Sequence, residues 1–159
     1  MILGLSIAFA VVLADQLSKY FIRDYFNQAV PPVEFCSFFN LVEAWNTGVS
    51  FSMFNNGGLI GIIFLSAFAI GVIIFLALWL RKETDKTVQV SLGMIIGGAI
   101  GNVADRIYFG AVYDFLDFHY ENIHWPAFNV ADSFICIGAF IIVLHSLLNI
   151  KSGKKEGLK

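Results

Sequence analysis

The sequence predicts an all-α integral membrane protein, built from four transmembrane helices with a few short strands outside the bilayer. Of its 159 residues, 58% are hydrophobic and only 14% are charged, and the mean hydropathy is +0.76. Soluble domains are about 45–50% apolar and about 25% charged, so these charges are too few to cover a soluble surface. The hydrophobicity also excludes a disordered chain. A net charge of −2 creates no field that would attract nucleic acid.

Four apolar segments are long enough to cross a membrane, which takes about 20 apolar residues. We expect a single domain, 1–159, in which the first segment is retained as a helix, because no Lys or Arg precedes Lys19 as a signal peptide would require. The second segment has no charged residue at all. The predicted helices cover about residues 2–22, 59–80, 88–107 and 131–150.

The distribution of Lys and Arg predicts the orientation of these helices. Seven of the ten cations lie between helices two and three or in the tail, 151–159. Cytoplasmic loops carry such an excess, so both termini are expected inside. Two segments, about 23–58 and 108–130, are then outside. The first is rich in Phe, Val and Trp over 33–54 and ends in a turn signal at 55–58, which predicts short strands on the membrane surface between helices one and two.

The few ionisable residues of the helices are the informative ones. Each costs roughly 2.5–3.5 kcal/mol in hydrocarbon, so each needs a partner or a use. Asp15 and Lys19 are four residues apart and share a helix face, and a structural ion pair is the simplest interpretation. Asn102, Asp105 and Arg106 share a face of helix three in the same way. The predicted orientation places both groups near the outer interface.

Asp114 and Asp132 fall at the same predicted depth and suggest a chemistry. Two carboxylates held together cannot both ionise cheaply, so the pair shares a proton near neutral pH. The ionised member can take a proton from water, and the protonated member can hydrogen-bond the scissile carbonyl. Asn46, Asn102 and Asn129 could orient substrate or carboxylates. This would be amide hydrolysis without a metal or a covalent intermediate.

Other interpretations remain open on the residues alone. Intramembrane carboxylates also serve ion and proton pathways, so the runner-up is a small ion- or proton-coupled carrier. A non-catalytic helical bundle is a third possibility. Asp114, Asp117 and His119 could ligate a hard metal, but their alternation with Phe is equally typical of a short interfacial strand, and we expect neither metal nor cofactor. Cys36 and Cys136 fit no zinc or redox spacing.

Glycines recur at four-residue spacing along helix three. Small residues at this spacing allow helices to approach closely. Helix packing is therefore the expected role, and room for a substrate helix is the alternative. The glycines are Gly93, Gly97 and Gly101, with Gly98 beside them.

Five sequence blocks, in order, resemble those of the bacterial lipoprotein signal peptidase family, also called signal peptidase II. Each block alone is weak, but the five together cover most of the chain and are highly specific. They are D-Q-L-S-K at 15–19, N-T-G-V-S-F at 46–51, G-G-A-I-G-N-V-A-D-R at 97–106, V-Y-D-F at 112–115 and F-N-V-A-D-S at 128–133.

The resemblance implies a function and a fold. Members cleave the signal peptide from diacylglyceryl-modified prolipoproteins, just before the lipidated cysteine, at the outer face of the bacterial cytoplasmic membrane. They combine four helices with an extracytoplasmic β-cradle, and the cyclic peptide globomycin inhibits them. We accordingly expect an aspartyl endopeptidase, in contact with membrane lipid, whose catalytic residues are Asp114 and Asp132. We expect a monomer, because the sequence has no polar seam or long heptad that would indicate association. The residues that would support catalysis or bind substrate are Asp15, Lys19, Asn46, Gly48, Asn102, Asp105, Arg106 and Asn129.

Overall fold

The computed structural model describes residues 1–48 and 58–156, with side chains to residue 149. These residues form four long helices and one antiparallel sheet. The helices are α1 (Ile2–Phe26), α2 (Gly58–Lys82), α3 (Lys86–Phe109) and α4 (Val130–Glu156), and the strands are β1 (Val33–Cys36), β2 (Phe39–Asn46), β3 (Val112–Tyr120) and β4 (Ile123–His124). All four helices are long and apolar enough to cross a membrane, which confirms the predicted fold class in its helical part.

The helices extend beyond the apolar segments that predicted them. Helix α1 continues to Phe26 and α4 to Glu156, where the sequence predicted an end near residue 22 and a separate tail, 151–159. Lys, Arg and Glu are good helix formers, so the polarity that ends an apolar segment does not end a helix. Residues 55–57 of the predicted turn, 55–58, and the end of the predicted strand region lie outside the described residues, whereas Gly58 begins α2.

The sheet differs from the prediction in its composition. Its strand order is β1-β2-β3-β4, so only half of it comes from the segment between the first two helices. The other half, β3 and β4, lies between α3 and α4, where the alternation of Phe with polar residues was the available signal. Placing the cradle wholly between helices one and two was therefore wrong. Pairing of β2 with β3 joins the two segments into one sheet.

Helix α3 is the centre of the bundle. It is more buried than the other three helices, since 56% of the residues in its most apolar stretch are buried. It packs against α1, α2 and α4. The Asp85 carboxylate caps its start by accepting the backbone N–H groups of Thr87 and Val88. Gly110, with φ of 75°, ends it in the left-handed conformation that favours glycine. The chain therefore turns from α3 directly into β3.

The glycines of α3 sit where neighbouring backbones come closest. A Cβ added at Gly97 would lie 2.5 Å from the carbonyl oxygen of Ala8 in α1, and one at Gly98 would lie 2.5 Å from that of Ala131 in α4. Gly93 lies in the same way against Gly4. The protein's own helices fill this space, so these glycines serve helix packing, as predicted, and leave no room here for a substrate helix.

This packing predicts opposite effects for the same substitution at two glycines. Gly97→Ala should destabilise the protein by about 1–3 kcal/mol, because the added methyl group overpacks the α1–α3 contact. Gly71→Ala in α2 should be neutral or stabilising by up to about 1 kcal/mol, since nothing lies within 4 Å of its added Cβ. Thermal unfolding of both variants in detergent measures the difference. Equal shifts in Tm would contradict the packing role.

Candidate active site

Two buried asparagines connect the carboxylates of Asp114 and Asp132, which we call the carboxylate pair. The Asn129 amide nitrogen donates to Asp114 Oδ1 at 2.7 Å, and the Asn102 amide nitrogen donates to Asp132 Oδ1 at 2.8 Å. The Asn129 amide also donates to Asn102 Oδ1 at 3.1 Å. The pair, predicted from separate parts of the chain, is thus held in one hydrogen-bonded unit.

The start of α4 fixes Asp132 through a capping box. Asn129 immediately precedes the helix, and its side-chain oxygen accepts the backbone N–H of Asp132 at 3.0 Å. In return, Asp132 Oδ2 accepts the backbone N–H of Asn129 at 3.3 Å. Such reciprocal bonds satisfy the free N–H groups of a helix start, where the helix dipole also favours negative charge. The N-x-x-D spacing therefore orients the carboxylate through local contacts, which add to the bond from Asn102.

Strand pairing brings Asn46 to the other carboxylate. Ala44 pairs with Asp114, and Asn46 pairs with Val112, in the register of β2 and β3, so Asn46 and Asp114 are diagonal neighbours on one face. The Asn46 amide donates to Asp114 Oδ2 at 3.1 Å. Both carboxylate oxygens of Asp114 consequently accept an asparagine amide.

Gly48 and Arg106 complete this side of the site. The Gly48 N–H donates to Asn46 Oδ1 at 3.0 Å, and its carbonyl oxygen accepts from Arg106 Nη2 at 3.3 Å. Arg106, at the end of α3, thereby holds the turn that orients Asn46.

Asp15, Lys19 and Asp105 form a buried charge cluster behind the pair. Lys19 Nζ lies 2.8 Å from Asp15 Oδ2 and 2.7 Å from Asp105 Oδ2, and all three side chains are at most 2% exposed. Lys19 also donates to Asn102 Oδ1 at 3.4 Å. The predicted i, i+4 pair of α1 is therefore real, but it also includes a carboxylate of α3 that its spacing could not reveal.

The charge cluster holds the backbone next to each carboxylate of the pair. Asp15 Oδ1 accepts the N–H of Ala131 at 2.9 Å, next to Asp132, and Asp105 Oδ2 accepts the N–H of Tyr113 at 3.2 Å, next to Asp114. Each acid of the cluster thus fixes the residue before one member of the pair.

Gln16 is a residue of this region to which the sequence assigned no role. Its amide donates to Asp15 Oδ2 at 3.1 Å and to Asp105 Oδ1 at 3.0 Å, so it bridges the two acids of the charge cluster. The only signal for it in the sequence was its place inside the D-Q-L-S-K block.

Burial changes the acidity of Asp114. Removal from water, together with the nearby Asp132 carboxylate, raises the pKa of Asp114 from its ordinary 3.8 to about 7. Hydrogen bonds from Asn46 and Asn129 to its anion, and the charge of Lys19, oppose this rise. Near neutral pH, Asp114 can therefore hold a proton or release it, as an acid–base residue must.

The alternative metal ligands are not brought together. Asp114 and Asp117 are three residues apart on β3, so they point to opposite faces of the sheet. Asp117 instead accepts the Asn40 amide at 3.1 Å and lies 2.9 Å from His124 Nδ1. Among the side chains that the structure describes, no three His, Cys, Asp or Glu residues are arranged to hold a metal ion.

Comparison with known proteins agrees with the fold and the motifs. A family model described as signal peptidase (SPase) II matches residues 7–148. A lipoprotein signal peptidase of Coxiella burnetii (strain RSA 331) is 43% identical over 144 residues, 89% of this chain and 88% of that protein. One of Shewanella piezotolerans is 40% identical, over 92% of this chain and 86% of its own.

A solved structure of a bacterial membrane enzyme also matches the whole fold. It is 31% identical in sequence and superimposes with a TM-score of 0.82, covering 96% of this chain and 92% of its own. The fold, the five sequence blocks and the family match agree, and the chain belongs to the signal peptidase II family.

Proposed function

We propose that the protein is an aspartyl endopeptidase that removes the signal peptide from diacylglyceryl-modified prolipoproteins, cutting just before the lipidated cysteine. The observation that carries this proposal is the carboxylate pair, Asp114 and Asp132, held by the bridge of Asn102 and Asn129. The substrate class follows from the lipoprotein signal peptidases to which the chain is similar.

The proposed reaction uses one proton shared by the pair. Asp114, with its raised pKa, donates a hydrogen bond to the scissile carbonyl, while Asp132 takes a proton from the attacking water. The water oxygen bonds to the carbonyl carbon, and the Asp114 proton passes to the carbonyl oxygen, which gives a diol. Asp132 then protonates the leaving nitrogen as the C–N bond breaks, and a diol hydroxyl returns its proton to Asp114.

The position of the site supports action at the outer face of the bacterial inner membrane. The carboxylate pair lies at the start of α4 and next to the end of α3, whereas Arg81, Lys82 and Lys86 lie at the opposite ends of α2 and α3. If those cations mark the cytoplasm, both termini are cytoplasmic and the sheet is outside. A single chain supplies both carboxylates and their bridge, so we propose that it acts as a monomer. We also propose that globomycin-type inhibitors, which the family resemblance implies, bind at this site.

The first prediction concerns the pair itself. Asp114→Asn and Asp132→Asn should each lower kcat/KM by at least about a hundredfold, because each removes a general acid or base. The double variant should lose little more than either single one, since the two act as a unit. Cleavage of a lipidated precursor by purified protein, without an ion gradient, measures this.

The matched control for these variants is Asp24→Asn, which changes an exposed carboxylate near the end of α1. It should cleave like the wild type. Retained activity in either pair variant would overturn the assignment, and a need for an ion gradient would favour a carrier.

The second prediction concerns pH. The rate should be bell-shaped, with two apparent pKa values that belong to the pair, and its alkaline limb should lie near the Asp114 pKa of about 7. The Asn46 amide stabilises the Asp114 anion, so Asn46→Ala should raise that pKa and move the alkaline limb to higher pH. Asn40→Ala, on the same strand but bonded to Asp117, should leave the limb in place. A shift to lower pH in Asn46→Ala would contradict the proposal.

The third prediction treats Lys19 as a positioning residue. Its ammonium is enclosed by Asp15 and Asp105, so Lys19→Met would leave two buried carboxylates without their cation. Breaking a buried ion pair costs about 3–5 kcal/mol, and we expect that loss in unfolding free energy. The exposed Lys82→Met serves as control and should change stability little. In the Lys19→Met protein that stays folded at low temperature, kcat should fall more than KM rises; an unchanged kcat would refute the positioning role.

A further inference from the structure

A cavity of about 470 Å³ lies directly beside Asp132, one member of the carboxylate pair. One side is the loop 125–128, which leads into α4, and the other side is a face of α4 itself. That face presents Asp132, Ser133, Ile135 and Cys136 to the cavity. Cavities of about 300–1,000 Å³ accept small-molecule ligands, so this space is large enough to hold a ligand.

The wall of the cavity is suited to hydrocarbon. Trp125, Pro126, Ala127, Phe128 and Ile135 contribute mainly apolar surface. The Ser133 hydroxyl, which could bind a polar ligand, already donates to the Asn129 carbonyl oxygen at 3.0 Å. A peptide backbone placed here would lose hydrogen bonds to water without replacement, at a cost of about 1–3 kcal/mol per group. An alkyl chain has no such cost.

The cavity also reaches an exposed face of α4, because its lining residue Cys136 is exposed. Helix α4 packs against α3 through Ala131 and Gly138, whose backbones contact Gly98 and Ser91. Cys136 lies on another face and is exposed, one helical turn from Asp132. In a helix that spans a membrane, an exposed apolar face meets acyl chains. An alkyl chain can therefore reach the cavity sideways from the bilayer.

We propose that this cavity receives an acyl chain of the substrate's diacylglyceryl group. The proposal rests on the proposed function, because a cut just before the lipidated cysteine places that group next to the scissile bond, and hence next to Asp132. The apolar wall, the lateral opening and the adjoining carboxylate are the three features that such a substrate needs in one place.

A substrate series tests this directly. Two synthetic precursors with the same peptide carry either palmitoyl or butyryl chains, and kcat/KM is measured for both. Cys136→Phe, which fills the cavity, should lower the palmitoyl-to-butyryl ratio of kcat/KM at least about tenfold, a typical effect of a filled apolar pocket. Ile137→Phe is the matched control, because Ile137 is the exposed neighbour and is outside the cavity wall; its ratio should equal that of the wild type.

An unchanged ratio in Cys136→Phe would overturn the proposal, and so would an equal loss with both precursors, which would mean that the cavity holds peptide. These outcomes are separate from failure of the proposed function. If the wild type cleaves neither precursor, the proposed function itself fails, whereas normal cleavage with an unchanged ratio removes only the acyl-chain site.

A second measurement keeps the native side chain at position 136. In a Cys36→Ser background, Cys136 is the one remaining thiol of the sequence, and N-ethylmaleimide reports its access. With Asp114→Asn added to prevent cleavage, the palmitoyl precursor should slow alkylation severalfold more than the butyryl precursor. Equal alkylation rates with both precursors would refute the proposal even if Cys136→Phe does not fold.

Discussion

Repulsion between the carboxylates of Asp114 and Asp132 is the constraint on which this end of the protein depends. Two such groups near one another, out of water, are stable only if a proton is retained and if donors surround whatever charge remains. Here the donors are asparagine amides from three different elements, Asn46, Asn102 and Asn129. Amides donate without carrying charge, so they hold the carboxylates without fixing either as permanently ionised. A lysine in their place would favour full ionisation and remove the proton that the proposed chemistry requires.

The charge of Lys19 is accordingly placed one layer behind the pair. Its contacts with Asp15 and Asp105 neutralise the cation, and those acids in turn hold the backbone next to each carboxylate of the pair. This layer requires helices in close contact. At Gly101, an added Cβ would lie 2.5 Å from the Asp15 carboxylate, so the glycine pattern of α3 creates the space for the charge cluster as well as for helix packing.

Local patterns in the sequence predicted the parts of the fold that local forces determine. Helix existence followed from long apolar segments, and the ion pair of Asp15 and Lys19 followed from its i, i+4 spacing. The contacts of Asp15 with the Ala131 N–H and of Arg106 with the Gly48 carbonyl join residues far apart in the chain, and no spacing rule reveals them. The alternation of Phe with polar residues was compatible with strand β3, but the partner strand β2 lies more than 60 residues earlier and no local pattern links the two. The alternation left a metal site and a short strand both open, and the structure separates Asp114 from Asp117, because residues three apart on β3 face opposite ways.

If the carboxylate pair shares one proton near neutral pH, infrared spectroscopy of the intact protein can detect it. We expect a protonated carboxyl band that disappears with a midpoint near pH 7, matching the raised pKa of Asp114. The band should be absent at that pH in Asp114→Asn, and its midpoint should fall in Asp132→Asn, because the repelling charge is gone. A spectrum with no protonated carboxyl at pH 6, or a band that neither substitution alters, would show that Asp114 and Asp132 do not share a proton.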